Sequence, residues 1–174
     1  MLQNHAFPDM PRVIEEGLTY WEKSKNGKPL PSWQDINPAE IKHLLPSVVV
    51  AHVSYNPLDF IERITGERIL EHSNGNSMGR NWRDFPGRGP GSKIWSVFEN
   101  TVNSRQPSYN VVPYVGPHNE FLKVVAITCP ISSDGEKIDR LISFVDYISQ
   151  TDNELELDVE KMISRNNQAT SQPL

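Results

Sequence analysis

The chain has 174 residues, of which 37% are hydrophobic, and its 17 basic and 22 acidic side chains leave a net charge of −5. It contains no apolar run of the ~20 residues that cross a membrane and no signal-peptide pattern at its start, and its single cysteine excludes an internal disulfide. We therefore expect one cytoplasmic domain that stays out of the membrane.

Charge is distributed unevenly along the chain. Residues 152–160 carry five acidic side chains and no basic one, so the remainder has 17 of each sign. A short basic cluster in residues 80–93 is interrupted by Asp84 and fits either a solvated loop or an anion-binding loop. Since nucleic-acid binding normally requires a basic face, we expect no nucleic-acid partner.

The first 46 residues predict an N-terminal helical extension. A helix is expected over residues 11–26, because Pro11 suits its first position and Gly27 its end. A second, short helix should follow Asn37, with Glu40 completing a capping box. The apolar stripe of the first helix consists of Val13, Ile14, Leu18 and Trp21.

Strand patterns dominate the next part of the chain, residues 47–150. Short turns between successive strands favour antiparallel pairing, so we predict an α+β fold: a five-stranded antiparallel sheet with helices between its second and third strands. The expected strands are residues 47–55, 60–65, 108–115, 121–131 and 139–149. The expected helices between them are residues 67–72 and 92–104, the second capped by Ser92. Residues 151–174 should form an acidic helix, over 153–163, and a disordered tail.

Several short segments, taken in order, resemble the PAS superfamily of sensory domains. They are Arg63-Ile64-Thr65-Gly66, Gly79, Cys129-Pro130-Ile131 with Asp134-Gly135, and Phe144-Val145-Asp146-Tyr147-Ile148. Residues 31–46 resemble a bacterial family of stand-alone PAS-like proteins. The resemblance implies a sensory or regulatory role, with the crossover helices lying on one face of the sheet.

Two PAS cofactors, flavin and haem, are bound through recognisable residues, and this chain lacks both sets at the usual positions. Flavin-binding members with photochemistry carry an Asn-Cys pair in the crossover helix, and the best-known haem-binding members carry a histidine on the long helix; neither occurs here. We therefore expect neither flavin nor haem, although haem bound through His72 or His118 stays open. The five histidines are scattered without metal-ligand spacing, so no metal site is expected.

Strand 121–131 predicts a ligand site. Both of its faces are apolar, and in a PAS arrangement the side with smaller residues would face the crossover helices, where ligands sit. The candidate lining is Val124, Ala126 and Thr128, opposite Met78, Trp82, Trp95 and Phe98, with Phe144 on the last strand. Arg63 would bind a ligand carboxylate or form a structural salt bridge. The alternative is a filled core in which the two tryptophans occupy that space.

The second face of the sheet needs a cover, and the N-terminal helix can supply it on its own sheet or on that of a partner. We predict a homodimer with Trp21 as its anchor; a monomer is the alternative.

The leading functional hypothesis is a stand-alone sensor that binds a small molecule and signals to a partner protein. A ligand-free interaction adaptor is the second hypothesis, and a small enzyme the third. No catalytic constellation was found, so we expect no enzymatic activity. A pocket would favour the sensor, a filled core the adaptor, and an unpaired ionisable group in a polar pocket the enzyme.

Overall fold

The computed structural model describes residues 10–114, 116–149 and 151. Its core is a five-stranded antiparallel sheet in the spatial order β2-β1-β5-β4-β3. The strands are β1 Val48–Ser54, β2 Asp59–Thr65, β3 Ser108–Pro113, β4 Phe121–Ile131 and β5 Arg140–Ser149. The predicted hairpin, helical crossover and three-stranded meander are confirmed.

Within the described residues, three α-helices accompany the sheet: α1 Arg12–Ser24, α2 Glu67–Glu71 and α3 Lys93–Ser104. Ser92 caps α3 as predicted, because its Oγ accepts a hydrogen bond from the Trp95 backbone N–H at 3.2 Å. The second expected helix is instead a pair of 3-10 turns, Pro38–Ile41 and Leu45–Ser47. Asn37 caps the first turn. Its backbone N–H donates to the Tyr20 hydroxyl at 2.7 Å, in place of the Glu40 carboxylate that the predicted capping box requires.

The pairing register divides the sheet into two faces. Directly opposed residues on neighbouring antiparallel strands project to the same side. The pair Ile127 and Phe144 lies on the side covered by α1, which we call the α1 face. The pair Thr128 and Ser143 lies on the opposite side, which we call the crossover face because residues 66–107 run over it.

Helix α1 packs on the sheet of its own chain. A Cβ at Gly17 would lie 2.2 Å from the Phe144 ring, so glycine allows the helix backbone to approach this aromatic side chain. Trp21 is 1% exposed, and its indole N–H donates to the Pro130 carbonyl at 2.9 Å.

This packing corrects the predicted interface. Ile14 and Trp21 are buried within one chain, and Val13 and Leu18 are half-buried against the same core. Trp21 is therefore not available as the anchor of a dimer. The helix takes the alternative role stated for it, as the cover of its own sheet.

Of the predicted C-terminal segment, residues 151–174, only residue 151 is described. The predicted helix over residues 153–163 and the predicted tail lie outside the described residues. Among the described residues, no helix has both the length and the apolar character needed to cross a bilayer.

Candidate functional site

Four aromatic rings pack together between the crossover face and the residues that cover it. Phe60 stands at the centre of this aromatic cluster, with ring centroids 4.9 Å from Trp95, 5.3 Å from Phe98 and 5.6 Å from Trp82. All four side chains are at most 3% exposed. The predicted lining residues Trp82, Trp95 and Phe98 are thus brought together, and they pack on one another.

The predicted small residues of β4 also face this side. Thr128 is fully buried, and its hydroxyl lies 2.9 Å from the Ser143 hydroxyl. Ala126 belongs to a second buried cluster with Ile69, Val145 and Tyr147, against which Val124 packs. A buried polar pair therefore lies on the crossover face, two residues along β4 from the small side chain of Ala126.

Three other predicted site residues lie elsewhere. Met78 is 39% exposed and lies outside the buried clusters. Phe144 pairs with Ile127 and contacts α1 at Gly17, so it belongs to the α1 face. Arg63 is exposed, which contradicts its placement in an internal site.

The register of β2 shows why Arg63 is exposed. Val50 pairs with Ile64 and the next residue, Ala51, pairs with Glu62, so Arg63 is the extra residue between them. An extra residue in one strand shifts the alternation of side chains beyond it. Glu62 precedes this bulge and lies two residues after the buried Phe60, so both side chains point into the interior.

Glu62 is 2% exposed and sits in a set of three donors, a feature that the sequence analysis missed. One carboxylate oxygen accepts hydrogen bonds from the Arg88 guanidinium at 2.7 Å and from the Trp82 indole N–H at 3.2 Å. The other oxygen accepts the Thr65 hydroxyl at 3.0 Å. The carboxylate is thus paired and hydrogen-bonded, as a buried charge requires.

Arg88 reaches Glu62 from a glycine- and proline-rich segment, residues 85–91, which we call the strap. The strap turns back on itself because Gly87 and Gly91 adopt positive φ angles of 78° and 92°. It places the guanidinium carbon of Arg88 5.1 Å from the Trp82 ring centroid. The Arg88 side chain is 29% exposed and that of Glu62 3%, so the cation lies at the boundary with solvent and the anion inside.

An aromatic group at the α2 end of the crossover face surrounds Tyr147. The His72 ring stacks on Tyr147 at 4.4 Å, and Phe121 lies 5.6 Å from it. The ion pair between Arg68 and Asp146, at 2.8 Å, ties α2 to β5 beside this group. Burial is the main cause that raises the pKa of the Tyr147 phenol to about 12.

We expect a late phenol titration from Tyr147 in the folded protein. Its hydroxyl stays protonated as pH rises from 10 towards 12, whereas the same group in the unfolded chain ionises near pH 10. Its contribution to the free energy of unfolding is therefore complete below pH 10 and lost as pH rises through 12. Ultraviolet absorbance of the phenolate, followed against pH, measures this; Tyr147→Phe should remove the latest step. Ionisation of Tyr147 together with the exposed tyrosines would contradict the expectation.

Cys129 lies away from this interior. It pairs with Ile142 on the α1 face, it is fully buried, and burial raises the pKa of its thiol. Two surface depressions on the described residues also lie elsewhere. One, of about 480 Å³, runs along residues 83–92, and the other, of about 560 Å³, lies between α1 and residues 40–44.

Comparisons with known proteins agree with this architecture. A family model described as a PAS domain matches residues 11–86, somewhat less than half of the chain. Together with the observed sheet order, this match supports a PAS superfamily domain. No curated protein matches the chain.

Solved structures with similar folds include sensory proteins. A sensory box sensor histidine kinase from Vibrio cholerae is 16% identical, with a TM-score of 0.46 and coverage of 64% of this chain and 89% of that chain. A Rhodobacter sphaeroides LOV protein is 12% identical, with a TM-score of 0.43 and coverage of 68% and 72%. An RNA-binding light-oxygen-voltage receptor is 12% identical, with a TM-score of 0.49 and coverage of 82% and 42%.

Proposed function

We propose that this PAS domain is a sensory module that binds a small molecule between the crossover face and the residues that cover it, and that it signals through protein–protein contacts. The observation that carries the proposal is the set of polar groups inside this space. Glu62 is buried there against the Trp82 indole, and the pair Thr128–Ser143 is buried on the same face of the sheet. A few polar groups in an otherwise apolar interior are the usual composition of a ligand site.

A ligand-free adaptor is the second candidate, and the packing of the aromatic cluster favours it. Four rings pack on one another in the interior next to α3, and the two surface depressions described above lie outside it. Catalysis is not part of the proposal.

Thermal unfolding in the presence of a chemically diverse set of small molecules distinguishes the two candidates. A sensor should show a concentration-dependent rise in its unfolding midpoint with at least one compound, because a ligand that binds only the folded state stabilises it. Ala126→Phe should abolish that rise, because Ala126 is buried on the crossover face. Leu122→Phe is the matched control, since it adds the same ring on the same strand at a position that is 36% exposed.

The adaptor predicts a different pattern. No compound would stabilise the wild type, and Ala126→Phe would only overpack the interior, at a cost of about 1–3 kcal/mol. A ligand that stabilises Ala126→Phe and the wild type equally would also contradict the proposed location of the site.

Homodimerisation, a cytoplasmic location and the absence of a nucleic-acid partner stay predictions within this proposal. The dimer would have to use a surface other than Trp21, because that side chain is buried in its own chain. Light scattering coupled to size-exclusion chromatography tests it, and a mass near the 19.8 kDa of one chain at well above micromolar concentration would contradict it.

A further inference from the structure

The Glu62–Arg88 ion pair lies in an interior where packing alone does not require charge. Apolar side chains of similar volume often replace a buried ion pair with no loss of stability. Building on the proposed function, we propose that Glu62 is the recognition group for a cationic small molecule. In this structure the Arg88 guanidinium occupies the position that the cation of this molecule would take. The ligand class is a guanidinium or primary ammonium group on a short apolar stem.

The groups that hold Glu62 do not all depend on the strap. Thr65 belongs to β2, and Trp82 to the 3-10 turn Trp82–Asp84. Both donate to the carboxylate, at 3.0 and 3.2 Å. If Arg88 moves away, these two neutral donors remain, and the carboxylate keeps its orientation but loses its positive partner. The carboxylate is thus held in place for a cation.

The Arg88 side chain indicates the shape of the ligand. Its guanidinium donates to Glu62 at 2.7 Å and lies 5.1 Å from the centre of the Trp82 ring. A ligand with the same planar cation would make the same charge-assisted hydrogen bond and the same cation–π contact. An anion would meet the Glu62 carboxylate and would be rejected.

The position of Arg88 allows exchange. Its side chain is 29% exposed, whereas that of Glu62 is 3% exposed, so a molecule from solvent reaches the Arg88 position first. The strap bends at Gly87 and Gly91, whose positive φ angles are open to glycine at little cost. Displacement of Arg88 would free the strap, and this gives ligand binding a structural consequence at the surface.

Arg88 also competes with the ligand. A tethered group acts at an effective concentration on the order of millimolar, so removing it should strengthen binding. We expect Arg88→Ala to bind the cation at least ~tenfold more tightly than the wild type.

The probe is ethylguanidinium, which matches the atoms that Arg88→Ala removes beyond Cβ; ethylurea is its neutral counterpart. Calorimetric titration and the unfolding midpoint are measured for the wild type, for Arg88→Ala and for Arg88→Ala combined with Glu62→Gln. We expect saturable binding of ethylguanidinium to Arg88→Ala and weaker binding to the wild type. Ethylurea should not bind, and the double variant should not bind ethylguanidinium.

If Arg88→Ala does not fold, Arg88→Met keeps an unbranched apolar stem against Trp82 and takes its place. In the wild type, the NMR signal of the Trp82 indole N–H should shift saturably with ethylguanidinium, because that group bonds the same carboxylate oxygen. Absence of saturable binding, equal binding of ethylurea, or binding that survives Glu62→Gln overturns the inference. A neutral or anionic ligand that stabilises the wild type through this interior also overturns it, while it leaves the sensory function intact.

Discussion

Replacing Trp21 by alanine is expected to lower the free energy of unfolding by about 3–5 kcal/mol, the usual cost of deleting a buried tryptophan. The side chain is 1% exposed, and its indole N–H bonds the Pro130 carbonyl at 2.9 Å. Its loss leaves a cavity between α1 and the sheet and one carbonyl without its donor. Chemical denaturation followed by circular dichroism measures the change.

Trp33→Ala is the matched control, because it deletes the same side chain at a half-buried position near Arg140. It should cost clearly less than Trp21→Ala. The Trp21→Ala effect should not depend on protein concentration, since the contact lies within one chain. A loss that shrinks at high concentration would instead place Trp21 between two chains and restore the dimer anchor.

Arg88→Ala is expected to cost about 3–5 kcal/mol in the absence of any ligand, because it leaves the Glu62 carboxylate buried without a positive partner. Glu62 is 2% exposed, and Arg88 is its cation at 2.7 Å. The measurement is again the free energy of unfolding from chemical denaturation.

Arg83→Ala provides the control for Arg88→Ala. Arg83 is exposed and bonds the Leu58 carbonyl at 2.9 Å, so its removal leaves no buried charge and should cost much less. Replacing both ion-pair partners, Glu62→Leu with Arg88→Met, should recover most of the lost stability. If the double variant is as unstable as Arg88→Ala, the unpaired carboxylate is not the cause of the loss.

The order of helices and strands could be predicted from the sequence because its signals are local. Ser92 before an apolar helical stripe, and valine-rich runs bounded by turns, act over a few residues. The antiparallel sheet then follows from short connections. Strand β4 begins and ends at the predicted residues, Phe121–Ile131.

The side chains that line the interior were harder to predict, because a sheet face depends on register. Before the bulge at Arg63, the β2 side chains that point inward are Phe60 and Glu62, and Arg63 lies outside. Phe60 and Glu62 are two residues apart and therefore share one side of the strand. This spacing was the signal in the sequence for an inward-facing Glu62. Phe144 was misplaced for a related reason, since its partner Ile127 lies on the α1 face.

The apolar stripe of α1 does not show whether the helix covers the sheet of its own chain or that of a partner. The stripe says only that one side of the helix must be buried. Gly17 against Phe144 and Trp21 against Pro130 decide the matter, and both are contacts between residues more than a hundred positions apart.

The sheet order has a consequence for how the chain folds. Strand β5, the last to be made, lies at the centre of the sheet, where Phe144 pairs with Val48 of β1 and Ile127 of β4. During synthesis, the β1–β2 hairpin and the β3–β4 hairpin can form early, but each keeps one edge of unpaired backbone N–H and C=O groups until β5 arrives. Contacts of such long sequence separation slow folding and expose chains to aggregation. A truncation before residue 140 should therefore yield two hairpins without a shared core, and insoluble protein.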